Sequence, residues 1–543
     1  MSITAQITVN PRLQKVDEVL ARQRPFGHSE WIADRLRAVY ERRLIKLSDK
    51  IPIASDIVDL LAIKDHAYAR RVLADTTVRT VIEHLRRAVA LDTLTGYQLM
   101  PIGLCHDVLE ALLNHLKTGL GQSPLNLSSG PRVGPMSYHP LIWVDDRPRD
   151  DPFATAYRWV IEAFYGGIPR PASDAEVSAL QRSTRLLEEM LPASALSVMG
   201  HTQVVAVIPA SGVWKKMQSS SQYLVGGNIF LSELIFNKPW MLSELLYHES
   251  THQKLYDFRH GYAVLKEDAA LDPDSLTKSE VWVQSPWNYP DNQWDTHRVL
   301  AAFHVYVHVS LLSLRSEELA SDLEPIVGSR TGQTPARAAL DRARYLGEKL
   351  AEPQCWSELD GGGQKLVEWL TAILDVLDEN PPPQGAVLHL LLNRYEREAQ
   401  RLLRRKSLGE TSYLAKLLAN DESRIVLNLL SKLHCDSTSR SLRDALDQLQ
   451  TDDPHQFFAS VRRCIVEALR ECGERYSLPC TESVDAGSVV ARMIERSSRL
   501  LALGEELESL PGAEVSDILL GGDDGGGAPE QLGANHSKAE NLS

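Results

Sequence analysis

The apolar positions along this chain change their period twice. Up to about residue 120 they recur every three or four places, as in VRTVIEHLRRAVALDTL and CHDVLEALLNHLKTGL, the spacing of a helix with one buried face. Residues 123–140, SPLNLSSGPRVGPMSYHP, break that pattern with Ser, Gly and Pro and read as a loop. Helical spacing returns in YRWVIEAFYGG and SALQRSTRLLEEML. Residues 202–210 (TQVVAVIPA) and 221–232 (SQYLVGGNIFLS) are then rich in β-branched and aromatic residues and predict strands. Pro239 lies near the start of a strong helix expected over 240–258. Residues 299–314, VLAAFHVYVHVSLLSL, are almost wholly apolar but carry His304 and His308. That run is shorter than the ~20 residues a membrane span needs, and it predicts a helix buried on most sides. From 331 the pattern is helical again, broken at Pro381-Pro382-Pro383, and the Gly-rich polar end predicts a disordered tail.

The expected organisation is multidomain: a helical region over 1–150, a metal-binding core over 151–330, a second helical region over 331–505 and a disordered tail over 506–543. The fold class expected is mainly α, with a small α+β, zincin-like core. The 543 residues, 43% apolar and 24% charged, are ordinary globular usage. Lys and Arg number 58 against 72 Asp and Glu, a net charge of −14, which argues against general nucleic-acid or anionic-membrane binding. The N-terminus lacks a basic start followed by an apolar core, so a cytoplasmic protein is expected. Cys105, Cys355, Cys435, Cys464, Cys472 and Cys480 are scattered without a CxxC pair and are expected as buried thiols.

Several other signals imply no specific chemistry. Asp360-Gly361-Gly362-Gly363-Gln364 opens a helix but lacks the ending of a phosphate-binding loop. No GxSxG elbow is present to support a serine hydrolase. His434 and the late cysteines lack zinc-finger spacing. Arg401, Arg404 and Arg405 read as a solvated helix face, able to meet an acidic peptide.

One motif carries chemistry. His248-Glu249-Ser250-Thr251-His252 lies in the helix predicted after the strands. On a helix, His248 and His252 share a face and can hold one metal, while Glu249 can act on metal-bound water or orient a ligand. A strand followed by an HExxH helix is the arrangement of zincin-like metal sites. A catalytic metal needs a third ligand and open positions. The extended HExxHxxGxxH pattern fails, because Phe258 stands where its last His would be and His260 is out of phase. Glu267 and Glu280 are alternatives without a strong surrounding pattern. His304 is favoured, because a buried imidazole needs a partner or a function. His308, one turn on, is the alternative ligand, and otherwise supports the site or is a core histidine.

The HExxH helix followed by SPWNYPDNQWDTHRVLAAFHVYV resembles the HExxH-motif peptide-modifying proteins encoded with ribosomally made peptide precursors. The shared residues are Pro286, Trp287 and His304. Members of that family are iron(II)- and 2-oxoglutarate-dependent peptide β-hydroxylases, so the resemblance implies His248, His252 and His304 as iron ligands and a precursor peptide, engaged through its leader, as substrate. It covers about residues 220–315. The chain departs from the family in having Asn288 after the Pro-Trp pair and His297 where an Arg is usual. The carboxylate of 2-oxoglutarate calls for a bidentate guanidinium, for which Arg298 is the first candidate and Arg259 the second. The alternatives are a zinc peptidase with Glu249 as general base and a metal-stabilised peptide-binding protein without chemistry.

Overall fold

The structure is a computed structural model. It describes residues 10–90, 98–136, 138–266, 281–285, 293–379, 381, 409–432, 435–449, 451, 453–475 and 493. The chain forms two compact units, Met1–Asn393 with Ser477–Pro479, and Arg394–Tyr476 with Cys480–Ser543.

The first unit is mainly helical around a small mixed sheet. In chain order its elements are α1 Pro11–Arg22, α2 Ser29–Ser48, α3 Ile53–Ala62, α4 His66–Ala74, α5 Thr76–Ala90, α6 Ile102–Thr118, β1 Leu141–Ile142, α7 Pro152–Tyr165, α8 Asp174–Met190, α9 Ser194–Met199, β2 Val204–Ile208, β3 Ser219–Ser221, β4 Asn228–Ser232, α10 Pro239–Gly261, β5 Val283–Gln284, β6 Gln293–Trp294, α11 Thr296–Val327, α12 Ala336–Ala351, α13 Pro353–Glu358 and α14 Gly361–Leu377. The boundaries follow local chemistry. Asn10 and Asp151 cap α1 and α7 with side-chain oxygens ahead of a proline. Ser173 and Glu176 close a capping box on α8. Gly166, at φ 72°, ends α7 in the left-handed region.

The four-stranded sheet runs β1-β2-β4-β3, with β1, β2 and β4 parallel and β3 antiparallel at one edge. Both faces are covered. Val205, Ile229 and Leu231 point into a core shared with α1, α8, α10, α11, α12 and α14. Val204, Ala206, Ile208 and Phe230 point into a second core built on α2 to α7. Burial on both faces explains why β2 reads as an unbroken apolar run, with no alternation. Two sequence expectations are refined here. Residues 221–232 are not one strand: the chain turns at Gly226-Gly227, and β3 and β4 pair antiparallel. Gly227 sits at φ +81°, and a Cβ there would come within 2.8 Å of Gln203 Cγ, so only glycine makes the turn. The apolar helix is also longer than its apolar run. By length and composition Thr296–Val327 could cross a membrane, yet 83% of its most apolar window is buried inside the protein, as befits a core helix.

Gly362 and Gly363 have a packing role invisible along the chain. A Cβ on either would collide with the carbonyl oxygens of Ala263 and Val264. The N–H of Asp360 donates to the Val264 carbonyl at 3.0 Å. The glycines therefore let the start of α14 close against the chain leaving α10.

The second unit contains helices Gly409–Lys432, Asp436–Asp447 and Pro454–Arg475. Arg462 is fully buried over the Phe458 ring and pairs through two nitrogens with both carboxylate oxygens of Glu422, at 3.0 and 2.7 Å. Such a pair holds its charges only because each is matched. The thiol expectation is corrected here: Cys105, Cys355 and Cys464 are free, but Cys435 is disulfide-bonded to a partner outside the described side chains. Bridging depends on Cα separations set by packing, which spacing along the chain does not reveal. The arginines at 401, 404 and 405, His434 and the expected tail lie outside the described residues.

Candidate metal-binding face of helix α10

The histidine motif occupies the middle of α10, whose flanks Leu242, Leu246, Leu255 and Phe258 are buried. His248 and His252 are half-exposed, with ring centroids 5.1 Å apart. Tyr256, one turn on, stacks on His252 at 5.8 Å, and Tyr306 of α11 meets His248 edge-on at 6.2 Å. Burial, then the neighbouring His248 and Arg298, hold His252 well below its usual pKa. The ring is thus neutral, the form that donates a lone pair to a metal. Its Nδ1 is buried without a hydrogen-bond partner.

Glu249 points to the sheet. The hydroxyls of Ser219 and Ser221, alternate residues of the edge strand β3, donate to its two carboxylate oxygens at 2.6 and 2.5 Å. Alternation along a strand puts both hydroxyls on one face. The intervening Ser220 pairs with the Tyr165 hydroxyl at 3.2 Å. This serine clamp is absent from the sequence reading, although the run Ser219-Ser220-Ser221 was visible there.

His304 and His308 are buried in α11. The Nδ1–H of His308 donates to the His304 carbonyl at 2.8 Å, and the two rings lie 4.5 Å apart. His304 Nδ1 and His308 Nε2 have no hydrogen-bond partner. Burial, then His308, Lys254 and His252, keep His304 well below its usual pKa. His304 therefore lies within the electrostatic reach of His252. Among the described residues, however, no group of three His, Cys, Asp or Glu side chains is gathered closely enough to hold a metal ion. The structure joins His248 to His252 and leaves His304 as a neutral neighbour.

The two arginines behave differently. Arg259 is buried, lies over the Tyr223 ring at 4.6 Å, and contacts His297 Nε2 through Nη1. Arg298 is exposed, lies over the Trp294 ring at 5.2 Å, and is close enough to lower the pKa of His252. These two guanidinium groups bring positive charge to the end of α10, while burial and the nearby arginines hold His297 and His260 well below their usual pKa. Glu267, Glu280, Pro286, Trp287 and Asn288 lie outside the described residues.

For a metal, the face offers two imidazoles at ligand spacing, donors that suit iron(II) or zinc, while the buried His304 is not gathered with them among the described residues. No known family model matches this sequence, and no curated protein matches it.

Proposed function

We propose that this protein is a metal-dependent oxygenase that hydroxylates a side-chain β-carbon of a ribosomally made peptide, using iron(II) and 2-oxoglutarate. The observation that carries the reading is the half-buried pair His248 and His252 on one face of α10, with His252 held neutral by burial and guanidinium groups just beyond it. When bound, iron with 2-oxoglutarate and O2 supplies the chemistry that removes hydrogen from carbon and inserts oxygen. The protein's own residues do the rest. His248 and His252 would hold the metal, with His304 as third ligand only if α11 brings it closer to the pair than it stands here. Arg298, or Arg259 with His297, receives a carboxylate of the cosubstrate. The antiparallel edge strand β3 offers a row of backbone groups along which an extended peptide can lie. Glu249, held through both oxygens by Ser219 and Ser221, fixes that strand to the metal helix.

The serine clamp supports the oxygenase reading over the peptidase. A peptidase base must turn an oxygen toward metal-bound water, whereas a carboxylate with both oxygens engaged is suited to positioning. The test is anaerobic loading with Fe(II), then addition of 2-oxoglutarate, precursor peptide and O2. Succinate should form with a peptide gaining one oxygen atom. Glu249→Gln should keep a reduced turnover, within about tenfold of the parent, because an amide oxygen still accepts a serine hydroxyl. Peptide-bond cleavage with zinc, abolished by Glu249→Gln and without succinate, would establish the peptidase instead. The cytoplasmic setting and the leader-guided partner belong to the same proposal.

A further inference from the structure

Asp257 lies about half a turn round α10 from the two motif histidines, and belongs to a separate constellation. Its Oδ2 is 2.8 Å from His201 Nδ1, and His201 Nε2 is 2.9 Å from the Ser29 hydroxyl. The chemistry of the donors fixes the direction of this chain. A carboxylate only accepts, so His201 Nδ1 carries the proton, Nε2 offers its lone pair, and Ser29 must donate. The other carboxylate oxygen of Asp257 is paired with Arg79 Nη1 at 2.8 Å, in an ion pair buried on both sides. That partner fixes the orientation of the carboxylate. Burial holds the His201 pKa below its usual value, so the imidazole waits as a neutral base.

Two more features concern Ser29 itself. It is half-buried, whereas His201 and Asp257 are almost wholly enclosed. It is also the first residue of α2, so the N–H groups of Ser29 and Glu30 head a helix with no preceding turn to receive them. Residue 200 is glycine, and a Cβ there would stand 3.3 Å from the Ser29 hydroxyl oxygen. Glycine at 200 thus lets the chain after α9 approach the Ser29 hydroxyl closely and bring His201 to it. No GxSxG elbow is involved; the three residues come from α2, the segment after α9, and α10.

We propose that Ser29, His201 and Asp257 form a nucleophilic triad that accepts an acyl group from a small carboxylic ester. Ser29 Oγ attacks the ester carbonyl carbon and forms the new C–O bond, while its proton passes to His201 Nε2. The bond to the alcohol then breaks, and His201 returns the proton to the departing alkoxide. Water, activated by the same nitrogen, hydrolyses the acyl-serine and releases the acid. The helix-heading N–H groups of Ser29 and Glu30 are the donors this proposal assigns to the developing oxyanion. Asp257 is a positioning residue that fixes the imidazole tautomer. This activity needs no metal and stands apart from the oxygenase reading.

The test uses the full chain, kept in EDTA, with diisopropyl fluorophosphate and with p-nitrophenyl acetate. One adduct per chain, mapped to Ser29 by peptide mass, and a burst of p-nitrophenol are expected. Ser29→Ala should remove both with an unchanged circular dichroism spectrum. Asp257→Asn should slow acylation by ~10⁴-fold by reversing the tautomer, and Asp257→Glu should restore part of it. The parent's labelling rate should fall as acid protonates His201, which burial holds below its usual pKa in the field of Asp257, Lys254 and Arg79, and Asp257→Asn should shift that profile. Absence of an adduct on Ser29, labelling only elsewhere, or Ser29 labelling that persists in His201→Gln would overturn the triad. If the Asp257 variants fail to fold, the parent and Ser29→Ala decide the matter.

Discussion

At the scale of single residues, the open question is what completes the His248–His252 pair. His304 is buried with an unpartnered Nδ1, and an imidazole so placed is costly unless something uses it. His304→Ala should therefore lower metal stoichiometry and abolish turnover, while Glu280→Gln should leave metal content near that of the parent. Metal analysis of both purified variants checks this, and normal metal in His304→Ala with loss in Glu280→Gln would remove the three-histidine assignment. His248→Ala or His252→Ala should each empty the site with little loss of helicity, because most of the helical structure lies outside it. Full iron retained in either variant would mean that the metal lies elsewhere.

At the scale of elements, the site depends on how α10 is held. The Lys254 ammonium donates to the carbonyls of Leu20 and Gly27 and to the Ser197 hydroxyl, at 2.7 to 2.9 Å, tying α10 to the N-terminal segment and α9. Asp17 of α1 accepts from the N–H groups of Ala193 and Ser194 at the head of α9. The C-terminal end of α10 leads into the segment against which α14 closes through Gly362 and Gly363. A methyl group at 363 meets the Val264 carbonyl oxygen directly. Gly363→Ala should then cost about 1–3 kcal/mol, the range for overpacking a close contact. Chemical denaturation of this variant beside Gly361→Ala is the check, since a Cβ at 361 meets nothing within 4 Å. Equal stabilities for the two would refute the close-approach role.

At the scale of the whole molecule, acid sensitivity follows from buried neutral histidines. His84 is buried in the second core, where its Nδ1 accepts the Met100 N–H at 2.8 Å. Burial, with help from Arg87, pushes its pKa down from 6.5 to about 4. The unfolded chain thus binds a proton that the folded chain refuses. The contribution to stability is complete above pH 6.5 and is lost as pH falls toward 4, by up to about 3 kcal/mol for this group. Unfolding free energies measured between pH 7 and 4 should fall less steeply in His84→Gln, whose amide oxygen can accept from Met100 without titrating. A parallel decline in parent and variant would contradict this.

The legible part of the protein was local. Periodicity showed the helices, β-branched runs showed β2 and β4, and four-residue spacing put His248 and His252 on one helical face. These follow from chain geometry alone, since helical and extended backbones impose fixed periods on neighbouring residues. The glycines at 226 and 227 split an expected single strand, and were readable only once the turn was seen. Other features joined residues too far apart for any period to relate. Glu249 meets Ser219 and Ser221, His201 joins Ser29 to Asp257, and Gly363 lies against Val264. Such contacts exist because the two cores close on both faces of one sheet, and burial then forces each enclosed polar group to find its partner across the fold. The sequence determined which groups were available, and the tertiary structure decided which of them meet.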